Sequence, residues 1–239
     1  MTGKAPQPLR ASGSLPRIDA VDWSLYDFAD LGCSRGGSLQ YCSGRFGGRG
    51  VGIDIDPAKV EEALAHGTEA VLGDAVALDV EDRVRYVSMM DFLEHLPGLE
   101  AVEEIIAAAA GLATDFIFIR HPSFEGEDYL TELGLRQYWW DWRGHPAHIQ
   151  VSDYCQIFER LGLGLYTIRY GERVVDSSHY SVLSATEPPD QGPYDPALHR
   201  ERPRMQFRRA VWRSQDLFVA LRPFDPRGDE WESITSDRS

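Results

Sequence analysis

The residues with the clearest chemical potential lie in polar turns that follow apolar segments. The segment that begins at Phe28 is apolar up to Asp30, and the turn after it has glycine at positions 32, 36 and 37. Because glycine has no Cβ, such a turn lets a ligand approach the backbone, and the helix behind it presents unpaired N–H groups. A second apolar segment ends at Asp54, whose carboxylate suits the two hydroxyls of a ribose. The pattern favours a bound nucleoside.

A strand followed by a helix recurs along the first half of the chain. Helices are predicted from spaced apolar residues that begin near Ser38, Pro57 and Leu99. This order is typical of an α/β, Rossmann-like, doubly wound and mostly parallel sheet, whose ligand lies beyond the carboxyl ends of the strands. The strands are predicted over residues 28–30, 51–54, 70–72, 84–90 and 116–119.

The regular alternation stops after residue 120. Residues 121–150 are rich in aromatic residues and histidine and are too long for a simple connection, so we predict an aromatic-rich insertion or lid there. Leu165–Arg169 is the next predicted strand. Two segments compete for the last strand, Tyr180–Leu183 and Leu217–Leu221, and we favour the second, with an excursion over 172–214.

Length and composition favour a single domain over 17–223, between a flexible leader at 1–16 and a polar tail at 224–239. The formal charge of −14 opposes nucleic acid as a partner, because that binding relies on clustered Lys and Arg.

The three cysteines, an odd number without paired spacing, indicate neither a disulfide framework nor a zinc site. No apolar window has membrane-spanning length, so we expect a cytoplasmic location and no membrane partner. The oligomeric state, a homodimer included, stays open.

One stretch of this acidic protein carries a net positive charge. From Arg200 to Arg213 there are six arginines and one acid, Glu201. We favour a solvated helix face that pairs with nearby carboxylates, and a patch that binds phosphate or a partner is the alternative.

Four short motifs occur in order at the ends of successive predicted strands: 30–36, 52–54, 73–75 and 91–96. Together they resemble the class I S-adenosylmethionine-dependent methyltransferases. The resemblance covers about residues 27–120 well and extends more loosely to Leu221. It implies a seven-stranded sheet with an antiparallel last strand, and S-adenosylmethionine as the cofactor.

The resemblance also implies roles for individual residues. Gly32 and Gly36 would let the backbone pass close to the methionine and ribose of the cofactor. Asp30 would support the turn or hold the methionine amine, and Asp54 would accept both ribose hydroxyls. Further contacts are implied with the adenine and on the methionine side, from Ile55, Asp74, Ala75, Asp91, Phe92 and, at the rim, His95.

Two features leave alternatives open. Ser34 stands where the family often has a second glycine, and its hydroxyl either contacts the cofactor or has no such role. Taken singly, Asp54 and Asp74 are also typical of helix N-caps and turns. Glu94 is interpreted as a first-turn residue of the following helix, stabilised by the helix dipole.

Methyl transfer to an oxygen acceptor needs a base, and histidine titrates near neutral pH. His121 directly follows the fifth predicted strand, which places it toward the mouth of the site. His145 and His148 lie in the aromatic insertion, and we favour one of these two. A hydrogen-bonded loop histidine is the alternative for each. Pro146 argues against a helical metal-binding pair and no third ligand is evident, so no metal is predicted.

Three tryptophans lie at 139, 140 and 142 and cannot all face inward on one strand or helix. We predict that Tyr138, Trp139 and Trp142 contact a planar or sugar-like acceptor, with core packing as the alternative.

The predicted function is methyl transfer from S-adenosylmethionine to a small molecule. We expect O-methylation of a specialised metabolite or a sugar-containing acceptor. The alternatives are an RNA ribose methyltransferase and a non-catalytic S-adenosylmethionine-binding module.

Overall fold

The computed structural model of the chain describes residues 14–78 and 83–236. Within these residues there are nine strands: β1 (Phe28–Leu31), β2 (Gly50–Asp54), β3 (Ala70–Leu72), β4 (Val84–Met90), β5 (Ala113–Pro122), β6 (Leu135–Gln137), β7 (Tyr166–Asp176), β8 (Val182–Ser184) and β9 (Gln206–Ala220).

Six α-helices accompany the strands in the same described ranges. They are α1 (Gly37–Phe46), α2 (Pro57–Ala65), α3 (Leu99–Leu112), α4 (Glu127–Glu132), α5 (Val151–Arg160) and α6 (Asp229–Thr235). None of the helices in the part of the chain that is described has the length and apolar character needed to cross a membrane.

Seven strands form one sheet in the order β3-β2-β1-β4-β5-β9-β7, and β6 pairs with β8 in a separate antiparallel sheet. β1 lies between β2 and β4 and is parallel to both, with Asp30 opposite Gly52 and Ser88. The large sheet is mixed, with antiparallel strands at its end. The expected α/β, Rossmann-like class with seven strands is confirmed. Because β1, β2 and β3 run in parallel, their carboxyl ends lie at one edge of the sheet.

The chain divides into two compact units. Of the described residues, unit 1 contains 14–78, 83–90, 104–119 and 218–236, and unit 2 contains 91–103 and 120–217. In unit 1, the buried ring of Tyr86 stacks on Phe28 at 4.6 Å and on Phe116 at 4.9 Å between ring centroids. Stacked aromatic rings therefore connect β4 with its neighbours β1 and β5, and these contacts stabilise the sheet beyond the burial of apolar area.

Unit 2 has a hydrophobic core of its own. The indole N–H groups of Trp139 and Trp140 both donate to the backbone oxygen of Ser123, at 3.2 and 3.0 Å. Both tryptophans are 2% exposed, so each buried polar N–H is satisfied. Around them pack apolar side chains from α4, β6, β7, β8 and β9: Leu130, Leu135, Val174, Val182 and Val211, together with Phe124.

Several predicted boundaries were wrong. β5 continues to Pro122, and β7 and β9 extend far beyond the apolar segments that identified them. The long polar excursion is consequently shorter than predicted. The segment Leu217–Leu221 was correctly preferred for the last strand, because β9 ends at Ala220, whereas Tyr180–Leu183 overlaps β8 of the small sheet.

The arginine-rich stretch is not the predicted helix face. Residues from Gln206 onward belong to β9. Before that strand, the guanidinium of Arg202 lies 3.4 Å from the ring centroid of Tyr194 and donates to the backbone oxygen of Ser178 at 2.9 Å. This arginine therefore holds a loop in place.

The C-terminal segment predicted as a polar tail contains α6. Trp231 on this helix is 3% exposed and packs on Phe224, with ring centroids 5.0 Å apart. Arg222 also pairs with Glu230. These contacts hold α6 in unit 1.

Candidate active site

The turn between β1 and α1 has the backbone that the glycine pattern predicted. Gly32, Ser34 and Gly36 have φ angles of +71°, +48° and +85°. A Cβ at Gly36 would lie 2.6 Å from the side chain of Thr68, so both the backbone angle and the space exclude larger residues there. Ser34 thus adopts the left-handed conformation that glycine usually provides.

Asp54 closes this turn from β2. One carboxylate oxygen accepts the backbone N–H of Ser34 at 2.8 Å, and the other accepts the backbone N–H of Asp56 at 2.9 Å. The side chain is 7% exposed. A carboxylate has about four acceptor positions, so each oxygen of Asp54 retains one for a ligand hydroxyl.

Asp30 lies inside unit 1 and is fully buried. The hydroxyl of Ser88 donates to one of its oxygens at 2.6 Å, and the hydroxyl of Ser38, in the first turn of α1, donates to the other. Burial raises the pKa of Asp30 to about 7, opposed by the two hydroxyls, which favour the ionised form, and the charge of Asp54 raises it further. The contacts fit support of the turn, the first of the two roles expected for Asp30.

The residues predicted to contact adenine follow β2 and β3. Ile55 is 70% exposed, which is unusual for a residue directly after a buried strand. Asp74 is the N-cap of a short 3₁₀ helix and accepts the N–H of Val76 at 3.0 Å. The capping interpretation therefore holds for Asp74 without excluding a ligand, while Ala75 beside it is buried.

Asp91, Phe92 and His95 lie in unit 2, and their contact with a cofactor stays a prediction. Asp91 has a φ of +49°, and its N–H donates to the backbone oxygen of Arg120 at 2.8 Å. Phe92 is half-buried and precedes the 3₁₀ helix Leu93–His95.

The predicted placement of His121 was wrong. Because β5 extends to Pro122, His121 lies within the strand and is fully buried. Its Nδ1 lies 2.7 Å from the Pro122 carbonyl oxygen, and its Nε2 lies 2.9 Å from the amide nitrogen of Gln215. Burial lowers its pKa to about 4. Both ring nitrogens are engaged in the interior, which does not favour His121 as the base.

His148 is half-buried and pairs with a carboxylate. Its Nδ1 lies 3.0 Å from a carboxylate oxygen of Glu127 in α4, and its ring stacks on Phe124 at 4.6 Å between centroids. The hydrogen bond to Glu127 raises the pKa of His148, and burial opposes it. Glu127 therefore fixes the ring through Nδ1, and a hydrogen bond to the Trp140 backbone also favours the protonated imidazole.

The surroundings of His145 differ from those of His121 and His148, because His145 lies beside His95 and Glu94. Its ring is 4.7 Å from that of His95 between centroids, and its Nδ1 is 3.1 Å from the Trp139 carbonyl oxygen. Burial lowers the pKa of His145 to about 4, and His95 lowers it further.

The interpretation of Glu94 as a first-turn residue of α3 was wrong. It precedes α3, in a 3₁₀ helix, and is fully buried, so it is not a first-turn residue of that helix. Neither carboxylate oxygen has a hydrogen-bond partner, and burial raises the pKa of Glu94 to about 8. The adjacent pair Glu94-His95 was the available signal, but nothing in the sequence connects it with His145.

The aromatic residues predicted to contact substrate differ in exposure. Trp139 belongs to the core of unit 2, whereas Tyr138 and Trp142 are half-buried at its margin, with ring centroids 5.6 Å apart. The Trp142 indole N–H donates to the backbone oxygen of Gln191 at 2.6 Å. Tyr138 and Trp142 are therefore better placed than Trp139 to meet a ligand, and all three remain predictions.

Comparisons with known proteins agree with this architecture. Residues 29–112 match the family described as methyltransferase domain. A SAM-dependent methyltransferase from Archaeoglobus fulgidus is similar in structure, with a TM-score of 0.56 and 18% identity, over 81% of this chain and 85% of that one. A possible histamine N-methyltransferase from Thermotoga maritima has a TM-score of 0.50 and 9% identity, over 82% of each chain. No curated protein matches the chain in sequence.

The family match covers β1 to α3, and the sheet order around it is that of the same fold. Residues 29–112 match the methyltransferase-domain family, and this match together with the shared fold supports the expected resemblance to class I S-adenosylmethionine-dependent methyltransferases. The expected enzyme class and its cofactor are thereby confirmed.

Proposed function

We propose that this protein methylates a hydroxyl oxygen of a small acceptor, such as a specialised metabolite or a sugar-containing molecule. The observation that carries the cofactor site is the link between Ser34 and Asp54, since it fixes the carboxylate with one acceptor position left on each oxygen. A ribose diol presents two donors at matching spacing.

The apolar neighbours of this carboxylate support an adenosine ligand. Ile55 directly follows Asp54 and is 70% exposed, and Val76, after the parallel neighbour strand, is 48% exposed. Exposed apolar side chains at the carboxyl ends of neighbouring strands offer a surface for a planar base. We propose that Ile55 contacts the adenine and that Asp74 or the Ala75 N–H meets its polar edge.

S-adenosylmethionine, when bound, supplies an electrophilic methyl group on a positively charged sulfur. The protein's task is then to orient the acceptor and remove its proton. We propose that His148 takes this proton, because Glu127 holds Nδ1 and stabilises the imidazolium that forms. Tyr138 and Trp142 are proposed to contact the acceptor.

The cofactor site is tested by calorimetry with S-adenosylmethionine and S-adenosylhomocysteine. Asp54→Ala is expected to weaken binding by about 2 kcal/mol or more, or roughly 30-fold, since two hydrogen bonds to a charged group are lost. Asp19→Ala is the control, because Asp19 is an exposed aspartate of the same unit with its side chain 78% exposed. Equal binding by wild type and Asp54→Ala would refute the site.

The base is tested by the pH profile of turnover. The Glu127 hydrogen bond raises the pKa of His148, so the rate should rise with pH as that imidazolium loses its proton. Glu127→Gln should move this rise to lower pH and reduce the maximal rate, and His148→Ala should remove it, in each case with cofactor binding retained. An unchanged profile in both variants would exclude His148 as the base.

A further inference from the structure

Glu94, His95 and His145 bring three metal-ligating groups together in unit 2. Each offers one ligand atom, and these atoms lie within 4.8 Å of one another. The backbone holds the loop against the acid, because the N–H of Ala147 donates to the carbonyl oxygen of Glu94 at 3.2 Å. The cluster is therefore fixed by the main chain.

Glu94 is the feature that calls for a ligand. Its side chain is 0% exposed and neither oxygen has a hydrogen-bond partner among the described residues. A buried carboxylate without a partner is costly, and native proteins pair such a group, bind a cation with it or keep it protonated. The geometry of the two histidines beside Glu94 favours the second of these alternatives, a bound cation.

Both histidines present a lone pair. The Nδ1 atoms of His95 and His145 lie 2.6 Å from the Gly144 oxygen and 3.1 Å from the Trp139 oxygen. A carbonyl oxygen only accepts, so each Nδ1 carries a hydrogen and Nε2 is the nitrogen whose lone pair can meet a metal ion. Histidine ligands in metal sites commonly show this arrangement, in which the distant nitrogen donates to a carbonyl.

We propose that Glu94, His95 and His145 form a binding site for a first-row transition-metal dication, with Zn²⁺ as the ion that the donor set fits best. Two imidazole nitrogens and one carboxylate are a common ligand set for Zn²⁺ with an open position, whereas Mg²⁺ prefers oxygen donors alone. His95 is exposed while its two partners are buried, so an ion and a further ligand can enter from the side of His95.

Coordination requires the three ligand atoms to approach slightly. Metal–ligand distances of about 2.1 Å correspond to spacings of about 3 to 3.5 Å between ligand atoms. His95 is the exposed member of the set, so a small shift of its side chain that keeps the Nδ1 contact with Gly144 is the movement that closes the site without disturbing the core.

The role of the ion rests on the proposed function. A dication held by three protein ligands with an open position would bind the acceptor oxygen and lower the pKa of its hydroxyl. The acceptor class is thereby narrowed to molecules with a hydroxyl that can reach a metal, such as a diol or a hydroxy acid.

The test is metal binding by the full chain after chelator treatment, without S-adenosylmethionine. Wild type should bind one Zn²⁺ in a competition titration and should give the visible absorption of a Co²⁺ complex with nitrogen and oxygen ligands. His95→Ala, His145→Ala and Glu94→Gln should each weaken Zn²⁺ binding by at least about 10-fold. His95→Ala is the most informative of the three, because its exposed side chain contributes least to folding.

His148→Ala is the matched control, since it removes a neighbouring histidine of the same loop that pairs with Glu127. Zn²⁺ affinity in this variant should stay within about twofold of wild type. The proposal is overturned if the wild type binds no Zn²⁺, if Mg²⁺ binds as tightly as Zn²⁺, or if His148→Ala weakens Zn²⁺ binding as much as His95→Ala. Since no cofactor is present, none of these outcomes depends on the methyltransferase assignment.

Discussion

Ser34 shows what a single backbone angle can decide. The sequence left two interpretations, a substitute for glycine or a contact through its hydroxyl. In the structure its φ is +48° and its backbone N–H donates to Asp54. The link between the turn after β1 and the end of β2 is therefore made by the main chain of Ser34. The hydroxyl has no part in that link.

The first prediction follows from this geometry. Ser34→Gly and Ser34→Ala should bind S-adenosylhomocysteine within about twofold of wild type, because both keep the N–H that orients Asp54. Ser34→Gly should also keep the free energy of unfolding within about 1 kcal/mol, since relief of the left-handed strain offsets the added freedom of the unfolded chain. Calorimetry and urea unfolding measure both quantities. A loss of about 10-fold in Ser34→Ala alone would show that the hydroxyl contacts the ligand.

Candidate functional residues that lie near one another in the sequence were predictable, whereas a site built from residues far apart in the sequence was not. Asp30 and Asp54 were identified because each lies at or next to the end of an apolar strand within one strand-helix-strand repeat. The site of Glu94 and His95 with His145 was missed, because about fifty residues of chain separate its parts and only the backbone contact of Ala147 with Glu94 brings them together.

At the scale of elements, the β1–α1 turn tests how strictly glycine is required. Gly36→Ala should lower the free energy of unfolding by about 2 to 3 kcal/mol, because the new Cβ meets Thr68 and a φ of +85° is strained for alanine. Gly37→Ala is the paired control. A Cβ there meets nothing within 4 Å, and alanine favours the helix α1 that begins at this residue.

Urea unfolding followed by far-UV circular dichroism checks this pair. Equal stability of the two variants would contradict the steric argument. S-adenosylhomocysteine binding should fall in Gly36→Ala and stay near wild type in Gly37→Ala, since only the first distorts the turn.

Buried strands were predictable, while exposed ones were not. β1 to β4 are short runs of apolar residues, and their bounds agree with the predictions to within about one or two residues. β7 and the first half of β9 are exposed or only half-buried over most of their length and carry arginine and glutamate, so they lack the hydrophobic period that identifies a strand. Their pairing comes from the sheet rather than from local preference.

At the scale of the molecule, the buried Asp30 makes stability depend on pH. The folded protein raises the pKa of Asp30 to about 7, whereas the unfolded chain has the ordinary carboxyl value of about 3.9. A raised pKa means that the folded state holds the proton more tightly. The contribution of Asp30 to the free energy of unfolding is therefore fully present below about pH 4, and it is lost as the pH rises to about 7.

Asp30→Asn should remove this dependence, because the amide does not titrate. Relative to the variant, wild type should lose stability on the order of 4 kcal/mol between about pH 4 and pH 8. Asp19→Asn is the control and should follow the wild-type curve, since its side chain is 78% exposed. Parallel curves for wild type and Asp30→Asn, from urea unfolding at each pH, would contradict the prediction.

The shared carbonyl of Ser123 has a practical consequence for optical work on this protein. Trp139 and Trp140 are both buried against it, and with Trp142 and Trp212 they give unit 2 four of the six tryptophans. Intrinsic fluorescence will thus be weighted toward that unit, whereas far-UV circular dichroism reports on helices of both units. Comparing the two signals in one denaturation experiment will reveal whether the units unfold in a single transition.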